Sequence, residues 1–403
     1  MLFLDGDTNL CGVYPELLQR LEVELNDKIG PNRFLNILVL LDRIPTHCPT
    51  GETTRYHIQP NAQYVQTVTR WEMGELNMGD PATLINFVEW AMNNYPADRY
   101  YLAIDDHGNG VSGISWDDST RGTDNKSDKL TNAELFSALK TVTRNGARKF
   151  DILAYEACLM GLYEVAHDAA QVADILFFFP TINFTNRASY PAYLRDERFQ
   201  PTTTGRAFGD VMFDLYYGAV TGKPYAMSLV DLAQIPTLDA AVNAWSNALR
   251  AALPTQRAAI AEARAEAQKV DSNADLQLTN DDVLIDLWDL ADRLARKGIA
   301  VAEGNALKAA IDAAVVRKAQ RSFGRLDYSN THGLTIYWPQ TASGLYTLYI
   351  DDQIFSVTRK SNWDEFLEAY FGRASGRASL PTDPGPVARE VGDGLIFLPI
   401  IAP

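Results

Sequence analysis

Residues Phe150–Gly161 read FDILAYEACLMG, and the whole fold can be read outward from them. The stretch follows a basic, polar segment, runs apolar from Phe150 to Tyr155, and then turns to Glu156, Ala157 and Cys158. A short apolar run without polar alternation reads as a strand buried on both faces. A thiol therefore sits at the carboxyl end of a buried strand.

A second run of this kind, RYYLAI (Arg99–Ile104), ends in DDHGNG, which places His107-Gly108 just past another strand end. Met1–Leu4, FLNILVLL (Phe34–Leu41) and DILFFF (Asp174–Phe179) complete a set of buried strands. Helical patterns separate them: Pro15–Leu25, ATLINFVEWAMNNY after Asp80-Pro81, LFSALKTV after TNAE (Thr131–Glu134), and LYEVAHDAAQVA. Asp80 followed by Pro81 is an N-cap with proline at the first helical position, and TNAE is a capping box. Alternating strands and helices predict an α/β fold with a mostly parallel sheet sandwiched by helices.

The second half reads as more helical, over Ala207–Val220, Leu238–Leu253, Thr255–Lys269, Asp281–Arg296 and Ala302–Ala314, with NWDEFLEAYF as a last amphipathic helix. YAMSLVDL and HGLTIYWP read as two further strands. The expected division is a core over residues 1–223, a helical C-terminal subdomain packed on it over 224–371, and a Gly/Pro-rich linker with a short apolar tail over 372–403.

Composition narrows the function. The 403 residues carry a net charge of −15, with 46% hydrophobic and 22% charged residues. That balance fits a globular protein and disfavours nucleic acid or an anionic membrane as partner, since phosphate binding needs clustered Lys and Arg. No apolar run is long enough to span a bilayer, and the first ten residues lack the basic and apolar regions of a signal peptide. Three cysteines, Cys11, Cys48 and Cys158, permit one bridge at most and lack zinc spacing. His47-Cys48 has no second Cys-His pair to complete a metal site, so no metal is expected there.

Ligands of open parallel sheets bind beyond the carboxyl ends of the strands. If the two strands are neighbours, His107 and Cys158 meet at that edge, and the step of 51 positions from 107 to 158 accommodates one crossover. A nucleophilic thiol needs a base or a positive neighbour. Acyl transfer also needs donors aimed at the oxyanion, for which the amides of Gly108 and Cys158 are the natural pair. Ala157 is small enough not to crowd a substrate. The other histidines are decoys: His332-Gly333 precedes a strand, His57 has no cysteine near it in pattern, and His167 is expected on a helix surface.

These blocks resemble the clostripain family of cysteine peptidases, within the wider group of caspases, legumains, gingipains and separases. FLDGDTNL is similar to that family's opening strand and Asp-rich turn, and GELNMGDPATLINFVEWAMNNYPADRYYLAIDDHGNG to its segment leading to the catalytic His. DILAYEACLMGLYEVA resembles the block around the catalytic Cys, and LIDLWDLA, HGLTIYWP and NWDEFLEAYF later blocks. The resemblance covers roughly residues 1–371.

It implies a caspase-like fold and endopeptidase activity with a His107–Cys158 dyad. Cys158 would attack the scissile carbonyl and His107 would protonate the leaving amine, with Gly108 and Cys158 amides as the oxyanion hole. It also implies cleavage after Arg or Lys, a monomer, and a secreted or cell-surface location in a bacterium. The chain departs from the family where Glu156 replaces the usual Asp two residues before the Cys, and where FFFPTINFTN offers Thr181 and Asn183 but no carboxylate. Two alternatives stay open: a neutral polar pocket of the kind that accepts Asn, and a catalytically silent binding relative. Self-processing is expected between His and Cys in SWDDSTRGTDNKSDK, at Arg121, Lys126 or Lys129. No cofactor is required. Calcium, which some relatives use, would fall to Asp117, Asp118 and Asp124, whose spacing is not that of an EF-hand.

Overall fold

A computed structural model describes residues 1–28, 35–44, 48, 51–59, 67–122, 127–183, 189–219, 222–350, 353–357 and 361–372. The expected linker and tail lie outside the described residues apart from Gly372. The chain opens with β1 (Leu2–Gly6), α1 (Tyr14–Lys28), β2 (Ile37–Arg43), β3 (Thr53–Gln59) and β4 (Thr67–Gly74). It continues through α2 (Pro81–Asn94), β5 (Tyr101–Asp105), β6 (Ile114–Arg121), β7 (Ser127–Leu130), α3 (Asn132–Val142) and β8 (Phe150–Glu156). Then follow α4 (Tyr163–Ala169), β9 (Ala173–Phe178), α5 (Ser189–Leu194), α6 (Gly205–Ala219) and β10 (Tyr225–Asp231). The last part holds α7 (Ile235–Glu266), β11 (Leu284–Asp286), α8 (Leu287–Arg296), α9 (Val301–Ala314), β12 (Val315–Arg321), β13 (Thr335–Tyr337) and a final long helix, Trp363–Phe371.

Nine strands form one sheet in the order β12-β10-β9-β8-β5-β1-β2-β3-β4. The five in the middle, β9 to β2, are parallel. Both flanks are antiparallel, through β10 and β12 on one side and β3 and β4 on the other. Successive side chains point to opposite faces, and the central strands use this alternation. Phe3, Leu38, Leu40, Leu153 and Leu176 join a core with α2, α3, α4 and α7. Leu2, Leu4, Val39, Ile152 and Ile175 join another with α1, α5 and α6. Each such side chain contributes about 1.5–3 kcal/mol on burial, so a one-residue slip of a central strand would exchange the two cores.

The cap signals hold. The Asp80 side chain accepts from Ala82 N, and Thr131 and Glu134 form a reciprocal capping box. Elsewhere the structure corrects the reading. The expected helices 238–253 and 255–269 are one helix, α7, running through Pro254. Proline removes one internal hydrogen bond, but Leu238, Val242, Trp245, Leu249, Leu253 and Ile260 all enter the same core and hold the two halves in line. The expected helix 281–296 starts only at Leu287, because Asp286 caps it by accepting from Asp289 N. Ahead of that cap, Asp282 accepts instead from Ser272 N and Thr279 N. The strand after His332-Gly333 lies outside the main sheet, antiparallel to β11. There His332 stacks on Trp288 with ring centroids 4.1 Å apart. His167 is buried, not exposed, with Nδ1 2.9 Å from Asp239. Since β10 and β12 complete the nine-stranded sheet, that sheet runs across the expected 223/224 division.

Glu164 of α4 is fully enclosed, and one of its oxygens accepts from Tyr349 Oη at 2.7 Å and Tyr337 N at 3.1 Å. Burial raises its carboxyl from an ordinary 4.5 to about 7. Between these values the folded chain keeps a proton that the unfolded chain has released, so stability falls as pH rises through that window, by at most about 1.4 kcal/mol per pH unit. Replacing Glu164 by Gln is expected to flatten that part of the pH dependence. Melting temperatures of the two proteins between about pH 4.5 and about pH 7 would show it, and parallel curves would refute it.

Candidate active site

β5 and β8 are neighbours in parallel register, with Ala103 opposite Ala154 and Asp105 opposite Glu156. His107 and Cys158 each lie two residues past the last matched pair, so the register brings them to the same edge. The approach is closer than adjacency alone requires. A Cβ on Gly108 would stand 2.4 Å from the Cys158 carbonyl oxygen and 2.9 Å from Ala157 Cβ. Only glycine lets the histidine loop lie this close to the backbone of the cysteine loop.

Hydrogen bonds fix the histidine loop from three directions. Asp106 accepts from Trp116 N at 2.7 Å and from Thr8 Oγ1 at 3.2 Å. Ser115 N donates to His107 O at 3.2 Å, and Ser115 Oγ donates to Asp5 at 2.7 Å. Asn9, in the turn after β1, places Oδ1 2.7 Å from His107 Nε2. With the carbonyl oxygen as acceptor, Nε2 carries the proton and Nδ1 is the basic nitrogen. Asn9 thus sets the tautomer, a role the sequence reading missed although the residue lies within the quoted FLDGDTNL.

The cysteine loop turns sharply after Cys158. Leu159 is buried at φ 61°, a left-handed conformation that costs a β-carbon residue of order 1–3 kcal/mol. Bonds from Leu159 N to Thr181 O (3.1 Å) and from Gly161 N to Phe179 O (2.9 Å) hold it there. The same turn after β9 sends Asn183 N to Cys158 Sγ at 3.3 Å. A backbone N–H aimed at sulfur favours the thiolate.

The expected pocket residues are placed unequally. Glu156 is 1% exposed, accepting from Tyr216 Oη at 3.0 Å and Tyr193 Oη at 3.4 Å. Next to it Asp105 accepts from Tyr190 Oη at 3.1 Å and Tyr14 Oη at 3.2 Å. Tyrosines of α1, α5 and α6 therefore close over the carboxylates that end β5 and β8. Burial keeps the Tyr190 and Tyr193 phenols protonated, well above their ordinary range. Thr181 is enclosed, with Oγ1 accepting from Ala226 N at 2.7 Å, so its hydroxyl serves the backbone. Asn183 is half-buried, and its side-chain amide lies 3.4 Å from Tyr216 Oη. From the C-terminal part, Leu284 stands at Gly110 and buried Tyr328 lies within electrostatic reach of Cys158. Neither was singled out in the sequence.

The segment between His and Cys forms the β6–β7 hairpin rather than an open loop. Arg121 ends β6, and Lys129 in β7 carries its ammonium 5.7 Å from the Trp116 ring centroid. Lys126 and Asp124 lie outside the described residues. Asp118 accepts from Ser127 Oγ at 2.6 Å, while Asp117 faces the other way, toward Asp7, Asp42 and Glu75. Cys11 and Cys48 form a disulfide.

Solved C11 cysteine proteases share this fold, a mostly parallel sheet wrapped by helices. An inactive zymogen C11 protease from Parabacteroides distasonis superposes with TM-score 0.57 and 17% identity, covering 92% of this chain and 96% of that one. A secreted C11 cysteine protease from Bacteroides thetaiotaomicron, solved with an irreversible peptide inhibitor, gives 0.66 and 16%, covering 90% and 98%. The Clostripain family profile matches residues 16–370, and the chain belongs to that family. It is 29% identical to clostripain of Hathewaya histolytica over 194 residues, a match spanning 41% of this chain and 35% of clostripain.

The site's electrostatics can be tested without a substrate. Cys158 is the one cysteine outside the disulfide, so its alkylation by iodoacetamide can be followed alone. Near neutral pH, His107→Ala is expected to slow alkylation about ten-fold or more, and Asn9→Ala by a smaller factor. Equal rates in all three proteins would separate Cys158 from His107 electrostatically.

Proposed function

We propose that the chain is a cysteine endopeptidase in which His107 and Cys158 act as a dyad. The observation that carries this is the β5–β8 register, with Gly108 packed on the Cys158 backbone. The Cys158 thiolate attacks the scissile carbonyl carbon, forming the S–C bond. His107, protonated on the nitrogen that Asn9 leaves basic, gives that proton to the leaving amine as the C–N bond breaks. Water then attacks the thioester, with His107 as base, and releases the acid. The amides of Gly108 and Cys158 are assigned to the oxyanion.

The preferred residue before the cut is Arg or Lys. The motivating feature is Glu156, a carboxylate at the strand end beside the nucleophile, within a chain of net charge −15. The Tyr216 and Tyr193 hydroxyls already serve Glu156. An entering cation must therefore part the tyrosines that cover Glu156 to reach it, and Glu156→Gln would lower kcat/KM for Arg substrates by roughly 10²-fold or more. A peptide library varied at that position, with active-site labelling by acyloxymethyl ketones bearing Arg, Lys or Asn, tests both statements. Preference for Asn assigns a neutral polar pocket built on Asn183. Labelling no better than that of His107→Ala with every probe would reduce the chain to a silent relative.

Self-processing falls between β6 and β7, at Arg121, Lys126 or Lys129, of which Arg121 and Lys129 both lie in paired strands. Purified wild type is expected to resolve into two fragments on a denaturing gel while Cys158→Ala stays whole. Fragments in both, or in neither after long incubation, would rule this out. A secreted or cell-surface location follows the same proposal. The Cys11–Cys48 disulfide supports it, since such bonds persist in oxidising compartments. Among the described residues no helix is long and apolar enough to cross a membrane.

A further inference from the structure

The strands beyond β9 carry the active edge outward. β10 is antiparallel to β9 and β12 is antiparallel to β10, so β12 runs the same way as β8 and β9 and ends at the same edge. The register fixes the level it reaches. Ala154 stands opposite Phe177, Phe178 opposite Ser228, and Tyr225 opposite Arg321. Counted on from Ala154, Cys158 is therefore level with Thr181, with Tyr225 and with Arg321. The bond from Ala226 N to Thr181 Oγ1, 2.7 Å long, agrees with this alignment.

Past Arg321 the chain makes a tight turn. Phe323 N donates to Leu326 O at 3.0 Å and Leu326 N to Phe323 O at 3.1 Å, with Gly324 at φ 64°. Ser322 Oγ donates to Asp327 at 2.8 Å and accepts from Tyr328 N at 2.8 Å. Gln268 Nε2 donates to Asp327 O at 2.9 Å. Leu326 and Tyr328 are buried in the core, and Tyr328 lies within electrostatic reach of Cys158. The turn is thus fastened at both ends and leads back toward the thiol. Its Phe323 is nevertheless 58% exposed, more than any other large hydrophobic side chain among the described residues.

The dyad sets the direction in which a substrate lies. His107, at the end of β5, serves the leaving amine, so residues after the cut extend over the β5 side. Residues before the cut extend the other way, across the ends of β9, β10 and β12. Three strand spacings of about 4.8 Å separate β8 from β12, and an extended peptide covers about 3.4 Å per residue, so about four residues span the distance.

We propose that Phe323 forms a subsite for an apolar substrate side chain about four residues before the cut. Contact removes apolar surface of both partners from water. A ring already held by a rigid turn gives up little freedom in making that contact. The inference rests on the dyad reading, which supplies the direction.

The test compares wild type with Phe323→Ser and Phe323→Leu. The peptides share the residues around the cut and carry Leu or Ser at each of the second to sixth positions before it. Wild type is expected to favour Leu over Ser about ten-fold in kcat/KM at the fourth position or one of its neighbours, chiefly through KM. Phe323→Ser brings that ratio close to one, and Phe323→Leu keeps most of it. A ratio taken within one protein is insensitive to a general loss of activity. Indifference of wild type at the third to fifth positions, or an undiminished ratio in Phe323→Ser, overturns the subsite alone. Peptides cleaved equally by wild type and His107→Ala, or by neither, overturn the dyad and the subsite with it.

Discussion

Everything at the active edge depends on the pairing of β5 with β8. Parallel register alone puts His107 level with Cys158, but the packing of Gly108 on the Cys158 carbonyl makes the relation rigid. Parallel strands need a long crossover, so the 50 residues between His107 and Cys158 are the return path that a parallel neighbour demands. The chain uses that path twice, for the β6–β7 hairpin that backs the histidine loop and for α3, which covers one face of the sheet.

Around that pairing the site is a set of polar clamps. Asp106 binds the turn after β1 and the start of β6, Asn9 orients the imidazole, and the turn after β9 brings an amide to the sulfur. The carboxylates at the strand ends lie under tyrosines from three helices, which keep them buried and hydrogen-bonded.

The parallel centre of the fold was legible because its strands are buried on both faces and read as unbroken apolar runs. Of the antiparallel flanks only β10, inside YAMSLVDL, was. TTRYHIQ and TVTRWEMG (β3 and β4) mix Thr, Arg and aromatic residues, and they carry no apolar run to announce them. α7 was split in two because Pro254 is a breaker by local rule, whereas long-range burial on both sides of it decides otherwise. His107 and Cys158 were legible because strand ends are visible in one dimension. Asn9, Tyr216 and the partners of Asp117 were not, since each acts across a sequence gap that only the folded sheet closes.

The hairpin has a consequence for assembly. In the sheet order, β4, β3, β2, β1 and β5 precede it in the chain, while β8, β9, β10 and β12 follow it. One break at its tip therefore divides the sheet into two contiguous halves along the β5–β8 line, with the imidazole on one polypeptide and the thiol on the other. In such a nicked molecule the active edge is an intersubunit seam. Its integrity becomes an association equilibrium, and dilution or a competing strand at that seam could dismantle the site without touching any of its residues.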